Sequence, residues 1–310
     1  MSLQSDNMLP PPGGGSPDLV PGLDPVAAER WSRLPRHDSP WLHEEVAARM
    51  LPRLDLFRQA PTSWLHWEPV AGGLKAHHDL CLRLPEASCL VWARDAAMAV
   101  RSVNAGRRRS WNPLRRDRSL AVAAEPSSQV DMLWANMLLH REPQPLAVLQ
   151  QWNRHVGTGG FLMFSCLGPD SLAELRAVYR QCGWGAPTHD FVDMHDWGDL
   201  LVQAGFAEPV VDMERITLTY SSAQALLDEL RQIGRNFGRG RFPGLRGRGW
   251  HRQLLAAIED LLPRTADGRL QLGFEIVYGH AYKAEPRSGP RSEQSVSVEA
   301  MREMLRSSRR

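Results

Sequence analysis

The 310-residue chain predicts an α/β fold built on a mostly parallel seven-stranded sheet with an antiparallel edge. Three observations lead there. Short apolar runs alternate with segments of helical periodicity from Trp64 to Cys166, as a parallel sheet with crossover helices requires. Glycines stand between several of these units, at Gly72-Gly73 and Gly157 to Gly160. Two long extended segments late in the chain, Val210 to Tyr220 and Leu272 to Tyr282, enclose helical stretches and supply the antiparallel edge.

Residues 1–24 carry Pro10-Pro11-Pro12-Gly13-Gly14-Gly15 and few large apolar side chains, so they read as a disordered leader. The domain proper spans 25–284. Trp31, Leu34, Trp41, Leu42, Val46, Met50 and Leu54 recur at mostly helical intervals broken at Pro35 and Pro40, which predicts two helices before the first strand. Trp64 to Trp67 is the first strand. Gly72-Gly73 makes the turn, a helix follows to Leu84, and Ser88 to Trp92 is the second buried strand. Asp95 to Val103 reads as a helix, the arginine-rich segment Arg107 to Arg118 as exposed, and Leu120 to Ala123 as a weak third strand. Val130 to Ala135 and Phe161 to Cys166 are strong strands, joined by an amphipathic helix from Pro145 to His155 and the turn Gly157-Thr158-Gly159-Gly160. A helical insertion occupies about 168–205, with helices at Ser171 to Tyr179 and Met194 to Ala204. Ala223 to Ile233 and His251 to Leu262 are helical, and an arginine- and glycine-rich loop spans 231–252. Residues 285–310 form a basic, mobile tail.

Composition excludes several classes. An apolar fraction of 43% fills a core, and no run approaches the roughly 20 apolar residues a membrane span needs. No secretion signal or membrane anchor is read at the N-terminus. Cys81, Cys89, Cys166 and Cys182 show no Cys-x-x-Cys spacing and read as buried thiols of a reducing cytoplasm. A net charge of +2 does not suggest nucleic acid, although nearly all of the positive charge is arginine. His77-His78 with Asp79 invites a metal reading. Adjacent helix residues point about 100° apart, however, and with no third ligand read at i+4 no metal site is expected.

Several stretches then carry a resemblance. Val130-Asp131-Met132-Leu133-Trp134-Ala135-Asn136-Met137-Leu138-Leu139-His140 resembles the strand and loop beside the cofactor in Rossmann-like class I S-adenosylmethionine-dependent methyltransferases, and Gly157-Thr158-Gly159-Gly160 resembles the turn before their fifth strand. Phe164 to Leu172, Phe191 to Phe206 and Phe274 to Ala281 are similar to the malonyl-acyl-carrier-protein methyltransferases of biotin synthesis. The resemblance covers roughly residues 40 to 284. It implies S-adenosylmethionine as cofactor and a malonyl thioester on acyl carrier protein as substrate. Such enzymes show Asp-x-Gly-x-Gly-x-Gly after the first strand; the matching positions here are His66, Glu68, Val70 and Gly72, and the ribose-binding acid falls on Ala93, two residues before Asp95.

The candidate cofactor-binding residues are therefore Glu68, Gly72, Asp95 and Asn136, with no catalytic residue assigned. Methyl transfer from a sulfonium to an ionised carboxylate needs positioning more than acid–base help, and a fixed arginine suits a malonyl carboxylate. Seven arginines and no acid lie between Arg231 and Arg252; Arg235, Arg239 and Arg241 are the candidates for substrate or carrier-protein contact, against the alternative of a merely solvated loop. His195-Asp196 reads as a helix start, and His280 as a core histidine. Two functions remain open: a methyltransferase with an unusual cofactor loop, or a catalytically inactive relative that binds a carrier protein or an enzyme partner.

Overall fold

The computed structural model describes residues 22–106, 120–122 and 129–284. The expectations for 1–21, for Arg107 to Arg118 and for 285–310 lie outside them. Seven strands form one sheet: β1 (Ser63–Trp67), β2 (Ser88–Trp92), β3 (Leu120–Val122), β4 (Val130–Ala135), β5 (Val156–Leu167), β6 (Phe206–Tyr220) and β7 (Leu270–Lys283), in the order β3-β2-β1-β4-β5-β7-β6. The first five pair in parallel. β7 runs antiparallel to both β5 and β6, so the reversed strand lies just inside the edge and β6 is outermost.

Strand alternation divides the core into two layers. Trp64, Met132, Trp134, Phe161 and Met163 face one side and Leu65, Trp67, Leu133, Leu162 and Phe164 the other. The first side is covered by α2 (Trp41–Met50), α4 (Leu74–Arg83), α7 (Ala173–Gln181), α9 (Ala223–Ile233) and α10 (Arg248–Leu261), through residues such as Val46, Leu80, Leu175, Leu226 and Ile258. The second is covered by α6 (Pro145–His155) and α8 (Met194–Gln203), through Leu149, Trp152, Trp197 and Leu201. α1 (Pro25–Ser32) starts at Asp24, whose carboxylate accepts from the Val26 and Ala27 amides. Leu23 is buried and bridges to Gly238, so the end of the stretch read as leader is held in place.

Two elements differ from expectation. The glycines read as the turn before β5 belong to the strand itself, which begins at Val156 after a register shift opposite Val130–Met132. There a side chain on Gly160 would place Cβ 2.7 Å from the Asp131 carbonyl, so only glycine lets the strands close. The Gly72-Gly73 turn is preceded by a helical turn, α3 (Pro69–Gly72), because proline at its first position fixes φ and needs no amide partner.

Candidate active site

In a parallel sheet of this kind ligands bind at the carboxyl ends of the strands, here Trp67, Trp92, Ala135 and Leu167. Glu68, one residue past β1, sits in the left-handed region at φ 55° and ψ 56°. Its amide donates to the Trp92 carbonyl at 2.7 Å and its carboxylate accepts the Arg94 amide at 3.1 Å. Burial pushes the Glu68 carboxyl up, opposed by the Arg94 amide and the Arg141 charge. α3 is pinned from below: Ser39 donates to the Val70 carbonyl at 2.9 Å and His43 Nδ1 to the Ala71 carbonyl at 2.7 Å. Burial lowers His43 to about 3, so that ring is neutral.

Gly72 and Asn136 meet. A Cβ on Gly72 would stand 2.8 Å from the Asn136 carbonyl, while Asn136 Nδ2 donates to the carbonyls of His43, at 2.8 Å, and Gly72. Its Oδ1 accepts the Ser165 hydroxyl at 2.5 Å. The fully buried Asn136 thus joins β4, β5, α2 and α3. Asp95 Oδ1 accepts the Met98 amide at 3.0 Å and caps α5 (Ala96–Gly106). Trp67 and Trp92 stack at 3.8 Å across the ends of β1 and β2. Between Trp67, Glu68, Ala71, Arg94 and Arg141 only about 20 Å³ is left, room for one water.

A second space opens at the end of β5. It is a cavity of about 360 Å³ lined mainly by apolar side chains, among them Leu172, Leu175, Phe191, Leu230, Leu254 and Phe274. The stretches resembling the malonyl family meet at its floor. Gly168 and Asp170 donate their amides to the Glu275 carbonyl and carboxylate at 2.9 and 2.6 Å, and Ser171 Oγ donates to the Glu275 carbonyl at 2.9 Å. Among the described residues, four ring nitrogens of lining side chains have no partner: His140 Nδ1, His189 Nδ1, Trp250 Nε1 and His251 Nε2. These nitrogens are available to a polar group or water entering the cavity. Burial holds His140 and His189 below the usual histidine range, so both rings are neutral.

The three candidate arginines separate. Arg235 lines this cavity, lies 4.6 Å over the Trp31 ring and, among the described residues, has no carboxylate within ion-pair distance. Arg241 pairs with Asp24 at 2.7 Å. Arg239 gives its amide to the Gly22 carbonyl at 2.7 Å. His195 behaves as read, donating its amide at 2.8 Å to Asp193 at the start of α8. Sequence reasoning passed over Cys81, which stands at i+4 from His77 and lies beside it in the structure. It also missed His140, His189 and His251, which no local pattern brings together.

The malonyl-(acyl-carrier protein) O-methyltransferase of Gallionella capsiferriformans (strain ES-2) is 37% identical over 254 residues, 79% of this chain and 85% of that protein. That of Laribacter hongkongensis (strain HLHK9) is 38% identical over 263 residues, 81% and 84% of the two chains. The chain belongs to the malonyl-(acyl-carrier protein) O-methyltransferase family. No family model matches it. Among solved structures, a putative methyltransferase from Bacillus halodurans C-125 superposes with a TM-score of 0.52 at 13% identity, over 78% of this chain and all of that one. The YcgJ protein from Bacillus subtilis gives 0.51 at 9% identity, over 77% and 99%. Both bear on the fold alone, and that fold is the class I methyltransferase fold read from the sequence.

Two spaces lie at the donor end: the pocket of about 20 Å³ and, sharing its Arg94, Arg141 and Glu142, a cavity of about 940 Å³ beside α1. The larger cavity exceeds the roughly 300 Å³ at which ligand pockets begin, so there is volume for a cofactor beside the turn. In the turn itself Val70 is fully buried where a backbone approach is required and Pro69 has no amide to offer, so those family contacts are replaced. The left-handed backbone at Glu68 keeps the shape of a glycine turn without its glycine.

Proposed function

We propose that this chain acts on the malonyl thioester of acyl carrier protein, with the acyl group in the cavity beyond β5, in the methyl-transfer reaction for which its relatives are named. The observation that supports this is the cavity itself: about 360 Å³, apolar walls, four unpartnered ring nitrogens and Arg235 at its wall, at the strand ends where an acceptor belongs. The apolar walls suit an acyl thioester. Arg235, whose Nη1 donates to the Arg231 and Gly234 carbonyls, offers its charge to the terminal carboxylate. Neutral His140 can donate from Nδ1 to the same group, whereas His189, whose Nε2–H is given to the His140 carbonyl, presents only an acceptor at Nδ1.

S-adenosylmethionine is the donor the family resemblance implies, and the cavity of about 940 Å³ beside Arg94 and Arg141 offers it room. Val70 and Pro69 in the turn carry a second reading: a family member that holds the carrier-bound malonyl group without methylating it. Incubation with malonyl-acyl carrier protein and S-adenosylmethionine, followed by mass spectrometry of the carrier, separates the two. A gain of one methyl group supports transfer. Complex formation on a sizing column without that gain supports holding, and neither result is expected if the carrier is not the partner.

A further inference from the structure

The cluster that neither reading uses lies behind the first strand, between β1, α4 and β2. His77 and Cys81 are one turn apart on α4, and Cys89 is the second residue of β2. One ligand atom from each lies within 4.8 Å of the others, and His77 Nε2 is 4.0 Å from Cys81 Sγ. Both cysteines carry thiols rather than a disulfide. We propose that His77, Cys81 and Cys89 form a metal site for a zinc-class divalent cation.

Geometry supports it first. Bonds of about 2.3 Å to sulfur and 2.1 Å to nitrogen put tetrahedral donors roughly 3.5–3.8 Å apart, so the three need close in by only about an ångström. Charge supports it second. His77 is fully buried and Cys89 nearly so, and two thiolates with a neutral imidazole cancel a 2+ ion, the only charge state of these ligands that leaves a buried site neutral. The surroundings support it third. A ligating histidine is held by a partner on its other ring nitrogen, and His77 Nδ1 lies 3.0 Å from His66 Nδ1. His66 Nδ1 accepts that proton when its own ring carries the proton on Nε2.

Binding is M²⁺ plus two thiols giving the bis-thiolate complex and two protons released to solvent. Three protein ligands leave the fourth tetrahedral position to water. His66 stands at the position of the acid in the family's cofactor motif, so the strand that would hold the cofactor here orients a metal ligand.

Full-length protein, stripped with a chelator under reducing conditions, is titrated with Co²⁺ and followed by absorbance. One equivalent per chain is expected, with thiolate-to-cobalt charge-transfer absorption in the near ultraviolet that Zn²⁺ abolishes. Cys81→Ser and Cys89→Ser should each weaken binding by about 100-fold or more, and His66→Gln, which removes only the positioning contact, by about 10–100-fold. Circular dichroism reports whether each variant is folded. If a cysteine variant is not, the wild-type chain is compared with and without Zn²⁺ in thermal unfolding, where a rise in Tm is expected. Absence of the charge-transfer band in the wild-type chain, its persistence in a folded double variant Cys81→Ser/Cys89→Ser, or an unchanged Tm overturns the site.

Discussion

Replacing Asn136 with alanine removes one side chain and three hydrogen bonds: those to the His43 and Gly72 carbonyls and the one from the Ser165 hydroxyl. All lie in a region closed to water, with Asn136 and Ser165 at most 1% exposed. Each buried group left without a partner costs about 1–3 kcal/mol, so the variant should lose about 4 kcal/mol. For a chain of this size that corresponds to a fall in Tm of about 10 °C. Urea denaturation followed by the fluorescence of the 11 tryptophans measures it directly. Ser165→Ala breaks only its own contacts and should lose about 1 kcal/mol. A loss below about 1 kcal/mol in Asn136→Ala would refute the reasoning, because the amide would then be free to serve a ligand rather than to hold β4, β5, α2 and α3 together.

Three further outcomes follow from neighbouring groups. Gly72→Ala drives a Cβ to 2.8 Å from the Asn136 carbonyl and should destabilise by about 1–3 kcal/mol in the same denaturation assay. The Glu68 carboxyl is raised by burial, so its contribution to stability is full below the unfolded value near 4.5 and is lost as pH rises through the folded value. Glu68→Gln keeps the oxygen that accepts the Arg94 amide and should gain on the wild-type chain across that window, measured as urea midpoints against pH; parallel curves would sink the assignment. Arg235→Glu should weaken retention on immobilised malonyl-acyl carrier protein several-fold and more at low salt, whereas unchanged retention removes Arg235 from the acceptor site.

Much of this architecture was legible because its signals are local. Apolar strands such as Val130–Ala135 and the helix begun by Pro145 need only period and a start signal. The antiparallel character of the late strands was legible too, but not that β7 inserts between β5 and β6, since pairing partners far apart in sequence leave no local trace. At the site, the position of Asn136 after β4 was found from the resemblance, whereas its commitment to His43 and Gly72 depends on residues 93 and 64 positions away. The Gly72-Gly73 turn misread the competition between Gly72 and Pro69, which nucleates α3 three residues earlier. His77, Cys81 and Cys89 show both limits: Cys81 at i+4 from His77 was a local signal that the sequence reading overlooked, and Cys89 joins the pair only when β2 pairs with β1.

The central claim is that the cavity beyond β5 takes the malonyl group of acyl carrier protein. Calorimetric titration of the chain with malonyl-acyl carrier protein and, separately, with the same carrier lacking the malonyl group tests it most directly. The malonyl form should bind measurably tighter, and Arg235→Glu should erase the difference. Equal affinity for the two forms, or no heat with either, would contradict the claim.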